Sequence, residues 1–301
     1  MSNSLTVSPS SDNSLQGIGF MIFMTACFTS LDASAKYISS ELPLWMVLWG
    51  RYVFHFLFIT FFFLRTAPKN IIYTKNIKLQ ILRSTLIFCS GVTFWAGLMY
   101  MPLVECMVIL FTSPLLVTVL AVPLLGEKFG LHRWGCVIVG LFGVVLVIRP
   151  GIGIIHWTAI LPLCAALFYS SLQIATRVLG QRDSALTTLF YSSICGLIFS
   201  SIFVIFFWKS PSPTQWLLLM WLGFLGALGH YFMIKAFEKA QASLLAPFNY
   251  ISLIWAALLG FLLFGDWPDA WTIFGAVIIV SSGLYQIKRE TRTFDVYKPI
   301  K

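Results

Sequence analysis

The chain has 301 residues, of which 58% are hydrophobic and only 10% are charged, and its mean hydropathy is +0.87. A soluble domain carries about 25% charged residues, so this composition excludes a protein that covers itself with a polar surface in water. The net charge of +9 does not indicate nucleic-acid binding, because the basic residues lie almost entirely in short segments between apolar runs and not in one patch.

Ten apolar runs follow one another along the chain, and each suits a membrane-spanning helix of about 20 residues. They occupy residues 16–37, 43–65, 79–100, 103–122, 130–149, 157–178, 186–208, 215–236, 243–263 and 270–288. The first run is interpreted as a spanning helix and not as a cleaved signal peptide, because residues 1–16 contain no Lys or Arg. Residues 1–15 are predicted to form a disordered cytoplasmic tail, and residues 290–301 a second cytoplasmic tail.

The Lys and Arg residues predict the orientation of these helices. With the N-terminus in the cytoplasm, sixteen of them lie on the cytoplasmic side, whereas only three lie on the outer side: Lys36, Arg149 and Lys209. Basic residues accumulate in the cytoplasmic loops of membrane proteins. The distribution therefore predicts a multi-pass protein of the bacterial inner membrane with both termini in the cytoplasm.

The two halves of the chain share residue spacings at an offset of 139–141 residues. The matched patterns are Ser30-x-Asp32-x-x-x-Lys36 with Ser171-x-Gln173-x-x-x-Arg177, Phe111-x-Ser113 with Tyr250-x-Ser252, Gly126-Glu127 with Gly265-Asp266, and Gly135 and Gly143 with Gly275 and Gly283. Each half, 16–149 and 157–289, then holds five helices, and this odd number inverts the second half. The predicted fold is an all-α membrane protein of ten transmembrane helices in two inverted five-helix repeats.

Inverted repeats are typical of alternating-access carriers, in which the substrate lies near the membrane midplane between the repeats. The alternative is that duplication built a stable bundle and nothing more. A channel would need a filter-like loop or a ring of charges, and an enzyme would need a catalytic motif. The sequence contains neither. The six cysteines lack zinc-site spacing, so no metal, cofactor or catalytic residue is predicted.

Several motifs carry a family resemblance. They are Asp32-Ala33-Ser34-Ala35-Lys36-Tyr37, Arg51 in a Phe- and Trp-rich second helix, Leu82-Arg83, Leu124-Leu125-Gly126-Glu127, Ala246-Pro247-Phe248-Asn249-Tyr250 and the segment 262–269. In these, over about residues 16–290, the chain resembles the drug/metabolite transporter superfamily, specifically proteins with two EamA-type domains. The resemblance implies an inner-membrane carrier of a small metabolite. The second half is similar to members that carry S-adenosylmethionine or riboflavin, and export of amino acids or other metabolites is the alternative.

Two charged residues within the apolar runs are candidate substrate contacts, since a charge inside the membrane is costly and usually functional. Asp32 suits a proton or a substrate amine, but it lies four residues from Lys36, with which it could form a structural pair. Arg51 suits an anionic group, or it could extend to the outer interface without binding a ligand. His55 lies one turn deeper than Arg51 and is expected to be packed.

The remaining candidates are aromatic and amide or hydroxyl side chains. They are Trp49, Trp95, Tyr169, Gln173, His230, Asn249, Tyr250 and Ser252. Aromatic faces beside a few polar groups suit a flat heterocycle or a cation, although each residue could equally serve core packing, and His230 follows a glycine stripe typical of helix packing. The predicted site lies between helices 1, 2, 6 and 7 with helices 4 and 9, with Arg51, Gln173 and Asn249 as polar contacts. A coupling proton, and a monomer or a homodimer, are left open.

Overall fold

The computed structural model describes residues 11–63, 72–126, 130–149, 155–179 and 182–296. Within them, ten helical segments are long and apolar enough to cross a membrane. We number these helices α1 to α10, and we divide the fourth into α4a and α4b. Their bounds are Ser11–Ile38 (α1), Leu44–Phe63 (α2), Ile77–Leu98 (α3), Leu103–Leu110 (α4a), Ser113–Leu125 (α4b), Leu131–Ile148 (α5), Ile160–Leu179 (α6), Ala185–Val204 (α7), Pro213–Lys239 (α8), Ile251–Phe264 (α9) and Ala270–Val296 (α10).

The ten predicted spans are confirmed, and the differences lie mainly at the helix ends. Helix α1 begins at Ser11 and α10 continues to Val296, so each extends into a segment that was expected to be a tail. Residues such as Lys, Arg and Glu, which follow the last apolar run, favour the helix, so helical hydrogen bonding continues beyond the apolar stretch. Residues 1–10 and 297–301 lie outside the described residues.

The fourth and ninth predicted helices are each interrupted. Helix α4a ends at Leu110, and α4b begins at Ser113 with Pro114 in its first turn. A one-turn helix, Ala242–Leu245, and a 3-10 segment, Ala246–Tyr250, precede α9. Proline lacks the N–H that would continue the helical ladder, which accounts for an interruption beside Pro114 and within the segment that contains Pro247.

The main helix contacts join one half of the chain to the other. They pair α1 with α8 and α9, α2 with α7 and α8, α3 with α6 and α7, α4b with α6, and α5 with α10. Exchanging α1 to α5 for α6 to α10 in order reproduces the same set of pairs. The two repeats therefore interlock about a pseudo-two-fold axis, and any site in the middle of the protein is built from both.

Residues that the sequence matched between the halves occupy equivalent places. Gly126 and Gly265 end α4b and α9 with φ of 69° and 71°, a left-handed conformation that glycine adopts without steric cost. Phe111 and Tyr250, at the two interruptions, contact each other with ring centroids 4.9 Å apart and ring planes tilted by 39°. The sequence repeat is thus a structural repeat whose matched members meet at the interface between the halves.

Candidate functional site

The first group of polar residues lies between α1, α2 and α3, towards the end of the protein that carries Lys36 and Arg149. We call this end the outer end and the opposite end the inner end, following the orientation predicted from the Lys and Arg residues. The indole Nε1–H of Trp95 donates a hydrogen bond of 2.8 Å to Asp32 Oδ1. The guanidinium of Arg51 lies 5.1 Å from the Trp95 ring centroid and 5.1 Å from that of Tyr52. Among the described residues, Asp32 and Arg51 form no ion pair. A carboxyl group and a guanidinium therefore border one indole ring within electrostatic range of each other, without direct contact.

Helix α3 leaves space for this arrangement at Gly91, one turn from Trp95. A Cβ atom at Gly91 would lie 3.6 Å from a guanidinium nitrogen of Arg51. That is ordinary contact for a methyl group, but a longer side chain would occupy the position of the guanidinium. Gly91 therefore determines where the positive charge of Arg51 lies.

A second group lies one helical turn deeper, between α2 and α8. The imidazole rings of His55 and His230 have centroids 5.1 Å apart. The ring centroids of Phe28, on α1, and His230 are also 5.1 Å apart, in a T-shaped arrangement. Arg51 lies close enough to both imidazoles for its charge to act on them. The glycine stripe of α8 permits this approach, because Gly226 has no side chain to obstruct His55.

A third group continues towards the inner side. Arg83 on α3 donates a hydrogen bond of 2.8 Å from Nε to Thr176 Oγ1 on α6, and another from its guanidinium to Ser192 on α7. Tyr169 on α6 is 41% exposed and lies within electrostatic range of Arg83. Polar groups thus follow one another from the outer third of the membrane span to its inner third.

The outer end of this series is closed by ion pairs between the two halves. Lys36 Nζ lies 3.0 Å from Asp266 Oδ2 and donates to the carbonyl of Met101 at 3.0 Å. The same ammonium lies 4.7 Å from the ring centroid of Phe264. Lys36 is one turn from Asp32 on α1, so the ion pair lies directly beyond the first polar group. The suggested structural pair between Asp32 and Lys36 is wrong, since each binds a different partner.

A second ion pair at the outer end joins Arg149, at the end of α5, to Asp269, just before α10. Partial burial opposes the charge of Asp269, but the backbone N–H of Thr272 and the Arg149 guanidinium outweigh this effect and hold the carboxyl pKa below its usual range. The carboxylate is therefore charged at neutral pH, and the pair is formed.

Hydrogen bonds join the halves at the inner end. Thr74 and Gln80 donate to Asp183 Oδ2 at 2.6 and 2.8 Å, and Tyr191 donates to the carbonyl of Ile72 at 2.8 Å. Partial burial of Asp183 opposes its charge, but the hydrogen bonds outweigh it and lower the carboxyl pKa. The guanidinium of Arg182 also donates to Asn76 Oδ1 at 3.2 Å, so hydrogen bonds from both neutral and charged donors join the halves at this end.

The structure brings Asp32, Arg51 and Trp95 together and places His230 beside them, on α8. Trp49 lies elsewhere: it donates to Ser201 on α7 at 3.2 Å and packs against Trp208 and Trp216 at the outer surface. Trp49 and Arg51 are two residues apart in α2, so their side chains point to nearly opposite sides of the helix, Trp49 towards α7 and α8 and Arg51 towards α3.

The predicted residues of the second half are dispersed. Gln173 is half-buried on α6 and Asn249 is half-buried in the 3-10 segment, and neither side chain forms a hydrogen bond with a described residue. Ser252 donates to the carbonyl of Asn249, so its hydroxyl serves the start of α9. Tyr250 packs on Phe111. The first two polar groups thus lie among α1, α2, α3 and α8. The predicted site lay between α1, α2, α6 and α7 with α4 and α9, so it did not include α3 and α8, and α6 and α7 contribute to the third group, around Arg83.

Sequence reasoning missed Arg83 and assigned His55 to packing. Arg83 was counted with the charges of the inner loop, but it lies well inside α3, and a guanidinium within a span is itself a signal of function. The four-residue spacing of Arg51 and His55 placed both on one helix face. The missing information was that His230, 175 positions later in the sequence, faces them.

Comparisons with known proteins agree with this architecture. The EamA-like transporter family matches residues 15–149 and 156–285, once in each half. An S-adenosylmethionine uptake transporter of Rickettsia felis is 30% identical over 279 residues, which cover 92% of this chain and 94% of that protein. A riboflavin transporter of Vibrio cholerae is 29% identical over 283 residues, covering 92% and 95%. A crystal structure with 17% sequence identity has a TM-score of 0.62 and covers 94% and 99% of the two chains, which shows a shared fold.

Proposed function

We propose, from the premise that this chain belongs to the EamA-like transporter family, that it moves a charged heterocyclic metabolite bound between Asp32, Arg51 and Trp95. The observation that supports this proposal is an acid and a guanidinium that border one indole without pairing with each other. Unpaired charge inside a membrane is costly, so its retention is explained if a ligand supplies the partners.

The chemistry of the three side chains selects the class of substrate. The relatives named above are transporters of S-adenosylmethionine and of riboflavin. Both molecules contain a flat heterocycle that can stack on Trp95 once helix movement uncovers this ring, which is 2% exposed in this conformation. S-adenosylmethionine also carries cationic groups and a carboxylate, for which Asp32 and Arg51 are suitable partners. Riboflavin carries no such pair of charges. We therefore assign a heterocyclic metabolite with a cationic group and a carboxylate, represented by S-adenosylmethionine.

Alternating access supplies the mechanism. The two repeats, 16–149 and 157–289, are the units that move. Asp32, Arg51 and Trp95 belong to the first repeat, and α8 of the second repeat packs on α1 and α2 beside them. The ion pairs Lys36–Asp266 and Arg149–Asp269 connect the repeats on the outer side, so this conformation is closed to that side. Uptake requires both pairs to separate and to form again after the substrate has bound.

The membrane location follows from the same family. The chain is a multi-pass inner-membrane protein with ten spans within the described residues. We assign both termini to the cytoplasm from the distribution of Lys and Arg. Residues 1–15 and 290–301 are then the cytoplasmic ends. Protease added to sealed spheroplasts should leave an epitope tag at either end intact, and cleavage of the tag would reverse the orientation.

Counterflow in proteoliposomes tests the function. Vesicles loaded with S-adenosylmethionine should take up labelled S-adenosylmethionine with saturable kinetics. Asp32→Asn and Arg51→Gln should each lower uptake about 10- to 100-fold, since a charged hydrogen bond contributes about 1.5–3 kcal/mol. Glu238→Gln and Lys235→Gln are the matched controls, because these two residues pair with each other away from the site. Linear, unsaturable flux, or wild-type uptake in both site variants, would reject the proposal.

A further inference from the structure

Two histidines from opposite halves of the chain face each other near the middle of the membrane, and the binding scheme above gives them no role. His55 on α2 is 4% exposed, and its ring centroid lies 5.1 Å from that of His230 on α8. Histidine is the side chain whose ordinary pKa lies nearest to neutral pH. A pair of imidazoles at the interface between two moving repeats can therefore exchange protons during the cycle.

The hydrogen bonds determine which nitrogen of His230 carries the proton. His230 Nδ1 lies 2.8 Å from the carbonyl oxygen of Gly226. A carbonyl only accepts hydrogen bonds, so Nδ1 carries a hydrogen and donates it. In the neutral ring, Nε2 then has the free lone pair. The proton-accepting atom of His230 is therefore Nε2.

The same reasoning applies to His55. Its Nδ1 lies 3.3 Å from Ser193 Oγ, and the Ser193 hydroxyl donates its hydrogen to the carbonyl of Leu189 at 2.8 Å. The serine oxygen thus accepts, and His55 Nδ1 donates. Nε2 of His55 is buried and has no hydrogen-bond partner among the described residues. Both rings hold their Nδ1–H in place and leave a basic Nε2 without a proton.

We propose that the His55–His230 pair takes up one proton from the outer side on an Nε2 atom and carries it inward together with the substrate. Protonation of one Nε2 makes that imidazole cationic, and the neighbouring ring, whose centroid lies 5.1 Å away, then stays neutral because like charges oppose each other, so the pair holds one proton. On the inner side the proton passes from Nε2 to water, and both rings return to the neutral form. This step rests on the proposed transport of a metabolite that carries a carboxylate.

The groups around the pair explain why proton and substrate travel together. Arg51 on α2 acts on both imidazoles, and Arg83 on α3 acts on His230. Burial opposes a charge on either imidazole, and the positive charges of Arg51 and Arg83 add to this effect, so an empty site resists protonation. A substrate carboxylate that pairs with Arg51 offsets this positive charge. Substrate and proton therefore favour each other's binding, which is the condition for symport.

The other titratable and charged groups of the neighbouring helices do not replace the pair. Helix α1 carries Asp32, which is bonded to Trp95, and the thiol of Cys27. On α7, Tyr191 donates to Ile72 and Cys195 interacts with Ser84. On α8, Lys235 and Glu238 pair with each other. Tyr52, beside Arg51, completes the set from α2. Of the titratable side chains named here, only the two imidazoles have an N–H fixed at Nδ1 and an unprotonated nitrogen at Nε2.

Proteoliposomes that contain the pH dye pyranine test this inference. S-adenosylmethionine is added outside to weakly buffered vesicles at equal inner and outer pH, and the wild-type protein should acidify the lumen. His55→Asn and His230→Asn keep an N–H near the Nδ1 position and remove the Nε2 base. Each should reduce acidification at least about tenfold more than it reduces S-adenosylmethionine counterflow. His132→Asn is the matched control, because His132 is exposed at the start of α5.

The outcomes separate this inference from the proposed function. Saturable wild-type counterflow without acidification would overturn proton symport and leave the transporter assignment intact, whereas absent counterflow would reject the assignment itself. Acidification by the Asn variants in the same proportion to counterflow as in the wild type would place the proton elsewhere. If an Asn variant fails to insert, Ser193→Ala replaces it, because this change removes the acceptor of His55 Nδ1. It should lower the ratio of acidification to counterflow by less than the Asn variants do. An unchanged ratio would also count against the histidine pair.

Discussion

The outer end of the protein and its centre use charge in opposite ways. At the outer end, Lys36 forms an ion pair with Asp266 and Arg149 with Asp269, so these two positive groups each have a negative partner from the other half. In the centre, Asp32 accepts a hydrogen bond from the indole N–H of Trp95, and Arg51 lies over the rings of Trp95 and Tyr52. Opposite charges are present in both regions, but only the outer end pairs them.

This difference indicates two tasks. An ion pair that is partly exposed to water contributes only about 0–1 kcal/mol, so the outer pairs can separate in every transport cycle. Charges in the interior are far more costly to leave unpaired. Their separation by Trp95 keeps each one available to a ligand of opposite charge. The outer end is thus suited to opening and closing, and the centre to binding.

The largest effect is expected from moving the central charge without removing it. Gly91→Leu should displace the Arg51 guanidinium, because even a Cβ at this position lies 3.6 Å from its nitrogen. The loss of a charged hydrogen bond to the substrate should raise KM about 10- to 100-fold. Gly91→Ala is the control and should remain within about threefold of the wild type. Uptake kinetics give KM for the wild type and for both variants. If Gly91→Leu has the same KM as the wild type, Arg51 does not contact the substrate.

A smaller effect is expected from breaking the outer closure. Lys36→Glu places a like charge beside Asp266 and should open the outer side, since like charges repel. Labelling of the buried Cys106 by a membrane-impermeant maleimide should increase about fivefold or more, a change of about 1 kcal/mol in the opening equilibrium, and Cys106→Ser should abolish that increase. Adding Asp266→Lys restores opposite charges and should restore protection. If the double variant is labelled as strongly as the single variant, the pair does not hold this end closed.

The smallest effect is expected from pH at Asp269. A carboxyl whose pKa is lower in the folded protein contributes stability above its unfolded pKa and loses it as pH falls through the folded value. The lowered pKa of Asp269 therefore places this loss below about pH 4. Asp269→Asn should lower Tm by roughly 1–3 °C at pH 7, and the difference should vanish at acidic pH. A difference in Tm that does not shrink as the pH falls below about 4 would contradict this assignment.

Much of the fold could be predicted because its signals are local in sequence. Apolar runs identify the ten spans, and the spacing that matches Phe111 with Tyr250 and Gly126 with Gly265 identified residues that occupy equivalent places. Prolines also indicate breaks in the fourth and ninth helices, at Pro114 and Pro247, and the structure interrupts both helices there. The bounds of the fourth-helix break were not predictable, because a proline also fits within the first turn of a helix.

The candidate site was only partly predictable, since its contacts depend on how the helices rotate and pack. Lys36 could be matched with Asp32 at one turn's distance, but its partner is Asp266, 230 positions away. Helix α3 contributes Trp95 and Arg83 to the polar groups. The spacing that matches Asp32 with Gln173 between the halves instead predicted a contact from Gln173, on α6. A single sequence contains residue types and spacings, but it does not contain the azimuth of each helix.

Binding of S-adenosylmethionine to the purified protein tests the central claim most directly, since it does not depend on movement of the repeats. Isothermal titration in detergent should give one saturable site per chain in the wild type, and Asp32→Asn and Arg51→Gln should each weaken it about 10- to 100-fold. The Lys235→Gln control should bind like the wild type. Equal affinity in the wild type and both site variants would contradict the assignment of the unpaired central charges to the substrate.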